Sequence, residues 1–295
     1  MTFPLCRIMS AFACIIAFVV SCAAAEDFSI DSNGRAIAVT RYAAEGAQAR
    51  PAVLVLHGFR GIEVDPEFYA RHARSLAENG IDAYLVRYFG LGSGPRCYCW
   101  DDWAQTTTNV TTSILRRPEA SGRVGLLGFS LGGAVAVVGA RDPRIGALVV
   151  FYGFIPNDTQ RARIDRLPPL LVLHGAADEN VRLSSGMELV TLARQRGGRA
   201  ELVVYPGEAH GHRPGASLRP AMRSTARSHS FAPSWPVVRR GGWTTRFISC
   251  SGMSVARGAV ACDEAILNIA SFMRATPAQS FALTRLPSLR WFDCC

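Results

Sequence analysis

Fully apolar runs of strand length alternate with helical patterns from residue 52 onward. Strands are predicted at 52–57, 81–86, 124–128, 145–152, 170–174 and 200–205. Helical periodicity falls between them, at 66–79, 102–117, 131–140 and 183–195. Strands that are apolar along their whole length are buried on both faces. The sequence therefore predicts an α/β fold, a mostly parallel sheet with helices on both faces. Residues 28–42 predict a strand or a hairpin that adds an antiparallel edge.

The alternating pattern stops after residue 212. Residues 213–261 are rich in Ser, Arg, Pro and Gly without a clear period, a helical pattern returns at 262–275, and a tail follows at 276–295. We therefore expect one folded domain at 26–212, interrupted by an Arg-rich irregular insertion and completed by the returning helix.

The N-terminal segment, residues 1–25, has the pattern of a secretory signal. Arg7 precedes an apolar stretch at 8–20, and three consecutive alanines then offer a cleavage site. The expected localisation is therefore export, either to a periplasm or to the medium. A lipid anchor on Cys22 is the minor alternative. Beyond the signal no apolar run approaches the roughly 18 residues of a membrane-spanning helix, so no stable span is expected.

Six of the nine cysteines lie beyond the predicted signal, and export implies an oxidising compartment. Their pairing does not follow from the sequence. The Cys97-Tyr98-Cys99 spacing is too short for a zinc knuckle, and paired C-x-x-C motifs are absent. Neither a metal nor another cofactor is expected.

The positive charge is concentrated at one end of the chain. The formal net charge is +9, and all 32 basic residues are arginines. Residues 1–210 have a net charge of only +1, whereas residues 211–295 carry +8. The predicted folded domain is thus nearly neutral, which argues against a nucleic-acid partner.

Three interpretations of residues 213–261 stay open. The segment could be a lid, because long loops near active sites are common. It could bind nucleic acid or an anionic membrane, since four aromatic residues lie among its eight arginines. The third interpretation, which the composition favours, is a disordered insertion or a product of a reading-frame error.

The segment Gly128-Phe129-Ser130-Leu131-Gly132 fits the G-x-S-x-G motif between a predicted strand and a predicted helix. In this context the serine occupies a sharp turn that projects its hydroxyl above the sheet, and the glycines leave room for that turn. The motif predicts Ser130 as a nucleophile.

A serine hydroxyl needs a base and an orienting acid, and in such folds they follow in the order acid, then histidine. Asp178 follows the predicted strand at 170–174, and His210 follows the strand at 200–205. We predict these two as the partners of Ser130, with His212 as a competing base.

The oxyanion hole needs two backbone N–H donors. Leu131, immediately after the nucleophile, is predicted to provide one. The other is expected from the loop after the first core strand, His57-Gly58-Phe59-Arg60-Gly61, where we choose Phe59.

These elements together resemble the dienelactone hydrolase family of the α/β-hydrolase superfamily. The segments that carry the resemblance are LVLHGFRG, GLLGFSLGG, LVLHGAADENV and VVYPGEAHG, in this order between residues 54 and 211. The resemblance implies an α/β-hydrolase fold and hydrolysis of a carboxylic ester or lactone through an acyl-enzyme.

Two positions depart from that family. The enzymes that gave it its name use a cysteine nucleophile and a glutamate in the oxyanion loop, whereas Ser130 and Gly58 stand at the matching positions here. The resemblance therefore implies a serine carboxylesterase with a small ester or lactone as partner, and dienelactone itself is not the expected substrate. An exported binding module with weak catalysis and a small serine peptidase are the alternatives, and the oligomeric state stays open.

Substrate contacts are the least specified part of the prediction. Arg60 and Arg87 are candidates for binding a carboxylate on the substrate, and Tyr88 is a candidate for lining the acyl pocket together with Phe89 and Trp100.

Overall fold

A computed structural model describes residues 25–46, 48–90 and 97–211, together with the backbone of residues 246–247. The strands are β1 (Ala25–Ser32), β2 (Arg35–Tyr42), β3 (Arg50–Leu56), β4 (Asp82–Val86), β5 (Ala120–Phe129), β6 (Ile145–Phe151), β7 (Leu170–Gly175), β8 (Ala200–Tyr205) and β9 (Arg246–Phe247). The helices are α1 (Pro66–Glu78), α2 (Trp100–Leu115), α3 (Leu131–Gly139), α4 (Asp158–Ala162) and α5 (Leu183–Gln195).

The strands form a single sheet in the order β1-β2-β4-β3-β5-β6-β7-β8-β9. The β1–β2 hairpin is antiparallel and pairs with β4 in the antiparallel sense, and all the remaining pairs are parallel. The predicted α/β fold with its antiparallel edge is therefore confirmed. Because the central strands are parallel, their carboxyl ends meet at one edge, where sites of such folds lie.

Helices cover both faces of the sheet, as the apolar pattern predicted. Helices α2, α3 and α5 pack on one face, around buried residues such as Leu126 and Val150. The apolar side of α1 packs on the other face, around Phe129 and Phe151. Among the described helices α1 alone contributes to that second core, and Val203 of β8 is only partly buried there.

Some boundaries differ from the prediction for local reasons. β5 begins at Ala120, earlier than its apolar run, because Arg50 of β3 pairs with Ala120. Helix α4 was not predicted, since five residues are too few to show a period. It is nucleated by Asn157, whose side chain accepts a hydrogen bond from the Gln160 N–H at 2.9 Å.

Several predictions fall outside the described residues. These are the signal segment with Cys22, the competing base His212, the returning helix and the tail. Of the predicted irregular insertion, only the backbone at 246–247 is described, where β9 pairs with β8. No helix in the described ranges is long and apolar enough to cross a membrane.

One buried polar side chain lies within the core that supports the site. His72 of α1 is 3% exposed and packs against the rings of Phe68, Phe129 and Phe151. Its Nδ1 lies 2.8 Å from the Phe68 carbonyl oxygen and therefore donates the proton of a neutral ring. Burial lowers the pKa of His72 from 6.5 to about 4.

This burial predicts a loss of stability in acid. Between pH 6.5 and about 4, the unfolded state binds a proton at this position that the folded state does not, so stability falls as the pH falls. In the His72→Leu variant, the free energy of unfolding should depend less steeply on pH, by up to about 1.4 kcal/mol per pH unit. Urea unfolding between pH 4 and 8 measures the slope. An unchanged slope, compared with wild type, would contradict the assignment.

Candidate active site

Ser130 occupies the sharp turn between β5 and α3. Its backbone has φ 53° and ψ −115°, a left-handed conformation that is uncommon outside glycine. A Cβ at Gly128 would lie 2.2 Å from the Gly132 carbonyl oxygen, and a Cβ at Gly132 would lie 2.2 Å from that of Leu56. Both glycines are therefore required, as the motif predicted, because the turn brings backbone against backbone on each side of Ser130.

The first turn of α3 begins at Leu131, directly after Ser130. The N–H groups of Gly133 and Ala134 donate to the Ser130 carbonyl, so those of Leu131 and Gly132 precede the helical hydrogen bonds. The positive end of the helix dipole is at the same point. The predicted donor Leu131 therefore lies at a position suited to binding a developing negative charge.

Three side chains from separate loops form a hydrogen-bonded chain at the carboxyl ends of the strands. The Ser130 Oγ lies 2.9 Å from His210 Nε2, and His210 Nδ1 lies 2.8 Å from Asp178 Oδ2. Because the carboxylate only accepts, Nδ1 carries the proton, and the Nε2 lone pair faces the serine hydroxyl. This arrangement permits proton transfer from the hydroxyl to the ring.

The Asp178 carboxylate is held by its own loop. Its Oδ1 accepts hydrogen bonds from the N–H groups of Asn180 at 3.0 Å and Val181 at 2.9 Å, and its side chain is fully buried. His174 lies beside it, with Nε2 donating to the Val181 carbonyl at 2.7 Å and lying 3.6 Å from Asp178 Oδ2. Burial lowers the pKa of His174. Its Nε2 is engaged by the Val181 carbonyl, whereas it is His210 Nε2 that lies at the Ser130 hydroxyl.

The loops after β7 and β8 are fixed against each other. The Ala177 N–H donates to the Glu208 carbonyl at 2.9 Å, and the Ala176 N–H donates to the Tyr205 carbonyl at 2.9 Å. A Cβ at Gly175 would lie 2.2 Å from the Glu208 carbonyl oxygen, so glycine is needed at this contact. This close approach is what brings Asp178 and His210 together.

Ser130 and His210 line a cleft of about 560 Å³. Five Phe and Tyr side chains line it, and these are Phe59, Phe68, Tyr69, Phe129 and Tyr152. Arg60, Asp65 and Asn180 add polar groups. Residues 58–61 of the predicted oxyanion loop form part of this wall. The Cα of Gly58 lies close enough to the nucleophile that a Cβ would be 3.7 Å from Ser130 Cβ.

Of the three predicted substrate contacts, only Arg60 lies at the cleft. Arg60 lines the cleft and is exposed. Arg87 instead donates to Glu63 and Thr40, each at 3.1 Å, and does not line the cleft. Tyr88 is fully buried behind the oxyanion loop.

The aromatic prediction for the acyl pocket needs correction. Tyr88 and Phe89 pack against His57 and Trp103 behind the oxyanion loop, and Trp100 packs against Trp103 and Phe154. None of the three lines the cleft. Tyr88 is part of the core, and Phe89 and Trp100 are partly buried and pack against it.

Tyr69 and Tyr152 line the cleft but were not predicted, for an identifiable reason. Tyr69 lies beside the apolar face of α1, so the helical pattern does not distinguish it from the residues that pack in the core. Tyr152 follows β6 with φ 39°, and its ring contacts the His210 ring at a centroid distance of 4.9 Å. The helical and strand patterns identify buried positions, and they do not distinguish a cleft wall from a core.

Cys97 and Cys99 form a disulfide just before α2, a pairing that the sequence left open. In the ranges that the structure describes, no group of three or more His, Cys, Asp or Glu side chains is arranged to hold a metal ion.

Comparison with known proteins gives three findings. Residues 102–226 match the model of the dienelactone hydrolase family, a range that includes Ser130, Asp178 and His210. A Methylorubrum extorquens protein provisionally named a carboxymethylenebutenolidase is 30% identical over 207 residues. That alignment covers 59% of this chain and 66% of the relative, so the chain spans just under two thirds of the relative's length.

Solved structures share the fold at low sequence identity. Dienelactone hydrolase from Anabaena variabilis is 19% identical, with a TM-score of 0.56 over 65% of this chain and 91% of that one. Est1E from Butyrivibrio proteoclasticus is 16% identical, with a TM-score of 0.54 over 62% of this chain and 90% of that one.

The backbone contact at Gly132 predicts a strong effect of one methyl group. Gly132→Ala should lower the free energy of unfolding by about 1–3 kcal/mol or more, because the added Cβ meets backbone that cannot move aside. Gly146→Ala is the matched control, since the atom nearest to the added Cβ, the Val124 carbonyl oxygen, would be 3.8 Å away. Urea unfolding of both variants gives the comparison. Equal stability of the two would show that the turn is not as tight as described.

Proposed function

We propose that this chain, whose residues 102–226 match the model of the dienelactone hydrolase family, is a serine hydrolase that cleaves a carboxylic ester or lactone. The observation that carries the proposal is the continuous hydrogen-bonded chain from Ser130 through His210 to Asp178, set in the wall of an aromatic cleft. A serine hydroxyl becomes an effective nucleophile only beside such a base.

Acylation starts with His210 as the general base. Its Nε2 takes the proton of the Ser130 hydroxyl while Oγ forms a bond to the ester carbonyl carbon. The tetrahedral intermediate collapses, the bond to the leaving oxygen breaks, and the proton on Nε2 passes to the alcohol. The buried Asp178 carboxylate stabilises the imidazolium that exists between these two transfers.

Deacylation repeats the sequence with water. His210 removes a proton from a water molecule that attacks the acyl carbon, and the acid leaves as Ser130 recovers its proton. For a lactone, the leaving alcohol stays attached to the acyl chain and departs with the acid in this second step.

The negative charge on the carbonyl oxygen is proposed to be bound by the N–H groups of Leu131 and Phe59. Leu131 lies at the positive end of the α3 dipole, and Phe59 lies in the loop beside Gly58, which borders Ser130. Donors that are already in place when the charge develops lower the barrier, and removing one typically costs about 10²–10³ in kcat.

The cleft suggests the chemical class of the substrate. Its aromatic walls favour an apolar or aromatic acyl or alcohol group, and its volume of about 560 Å³ suits a small molecule. Arg60 is the one arginine among the residues that line it, so a carboxylate at the outer end of the substrate is compatible with this site. We therefore propose an esterase for small esters, and the pattern of residues 1–25 supports its export.

Substitution of Ser130 and Asp178 tests the proposal. Ser130→Ala should abolish hydrolysis of p-nitrophenyl butyrate. Asp178→Asn should lower kcat by about 10⁴, because the neutral amide favours the wrong histidine tautomer. Ser184→Ala and Asp165→Asn alter exposed residues outside the cleft and serve as matched controls.

Covalent labelling identifies the nucleophile independently. A fluorophosphonate should label wild type and both controls, and mass spectrometry should find the adduct on Ser130. Turnover retained by Ser130→Ala would remove this residue from the mechanism. Cleavage of peptide amides at rates similar to esters would favour a peptidase, and an unlabelled, inactive wild type would favour a binding module.

A further inference from the structure

The oxyanion loop is held by hydrogen bonds at both ends of a single peptide unit. The carbonyl of His57 accepts a hydrogen bond from Tyr88 Oη at 2.7 Å. The N–H of the next residue, Gly58, donates to Tyr69 Oη at 2.9 Å. These are the two polar ends of the peptide that joins His57 to Gly58, so two tyrosine hydroxyls fix the orientation of its plane.

The following peptide unit is held at its carbonyl end. The Gly58 carbonyl oxygen accepts from the Gly61 N–H at 3.1 Å and from His57 Nδ1 at 2.9 Å. The described peptide bonds are all trans, and in a trans peptide the C=O and N–H point to opposite sides. With the carbonyl fixed, the direction of the Phe59 N–H at the other end of this peptide is fixed too.

Such restraint matters because Gly58 has no side chain to limit its rotation. Glycine has more accessible backbone conformations than any other residue. Phe59 is 51% exposed, so packing of its side chain contributes little to its orientation. The hydrogen bonds to the peptides on either side of Gly58, from side chains and from the Gly61 N–H, therefore determine where the Phe59 N–H points.

The restraining side chains belong to rigid parts of the fold. Tyr88 is fully buried and its ring stacks on that of His57, with centroids 4.3 Å apart. Tyr69 comes from α1 and packs against Phe68 and Phe129. Burial lowers the pKa of His57 to about 4 and raises that of Tyr88, so both keep the protonation that these hydrogen bonds require.

We infer that His57, Tyr69 and Tyr88 are positioning residues that together aim the Phe59 N–H at the carbonyl oxygen of the substrate. The inference rests on the proposed function, since it gives Phe59 a role in the oxyanion hole. It also assigns a purpose to Tyr88, which lies too deep to touch a substrate.

The test removes the hydroxyls and keeps the rings. In Tyr69→Phe and Tyr88→Phe, kcat for p-nitrophenyl butyrate should fall about 10- to 100-fold, because a displaced donor loses much of its effect. KM should stay within about 2-fold, since the aromatic walls that bind the ground state are retained. Tyr84→Phe is the matched control: this tyrosine of β4 is 1% exposed, and its ring contacts Phe28.

An inhibitor whose adduct has a negatively charged oxygen distinguishes a misplaced Phe59 N–H from a general loss of structure. The Ki of an aryl trifluoromethyl ketone, which forms a tetrahedral adduct, should rise by the same factor as kcat/KM falls. The double variant should lose less than the product of the two single losses, because both hydroxyls hold one peptide. Unchanged kcat and Ki in both single variants would overturn the inference.

Amide hydrogen exchange tests the restraint without relying on activity. Peptides that cover residues 57–61 should exchange faster in Tyr69→Phe and Tyr88→Phe than in wild type or Tyr84→Phe. Unchanged exchange would overturn the inference even in an active enzyme. Faster exchange together with an inactive, unlabelled wild type would instead show that the loop is restrained as described and that the proposed function fails. If Tyr88→Phe does not fold, Tyr69→Phe alone still tests the inference, because Tyr69 lies at the cleft and not deep in the core.

Discussion

The close backbone contact between the end of β3 and the start of α3 is the constraint on which the site depends. Gly132 meets the carbonyl oxygens of Leu56 and His57 so closely that a Cβ there would be 2.2 Å and 2.4 Å from them. This contact presses the nucleophile turn against the oxyanion loop. The hydroxyl of Ser130 and the donors proposed for the oxyanion are therefore neighbours as a direct result of the packing, and the uncommon backbone conformation of Ser130 is stabilised by it.

A second constraint acts on the opposite side of the nucleophile, where a buried negative charge must be satisfied. The Asp178 side chain is fully buried, and isolated charges are costly in such surroundings. Two backbone N–H groups and His210 donate to it. The same hydrogen bonds that stabilise the carboxylate fix the tautomer of His210, so the stability of the loop and its chemistry have a common cause.

Aromatic residues serve two different purposes around Ser130. Phe68, Tyr69, Phe129 and Tyr152 line the cleft, whereas Tyr88 and Phe89 lie behind the oxyanion loop and pack on His57. Tyr69 belongs to both groups, because its ring lines the cleft while its hydroxyl accepts from the Gly58 N–H. Binding of a substrate against this ring and orientation of the loop are thus linked through one side chain.

The sequence by itself determined the α/β fold and the residues of the hydrogen-bonded chain. Fully apolar strands between helices have few alternative arrangements, and the elbow glycines, Asp178 and His210 each follow a recognisable strand. Only the tertiary structure separated Arg60 from Arg87 and placed Tyr88 in the core while Tyr69 and Tyr152 lined the cleft. Periodicity reports whether a position is buried, but which neighbour a buried hydroxyl meets depends on how elements distant in sequence pack together.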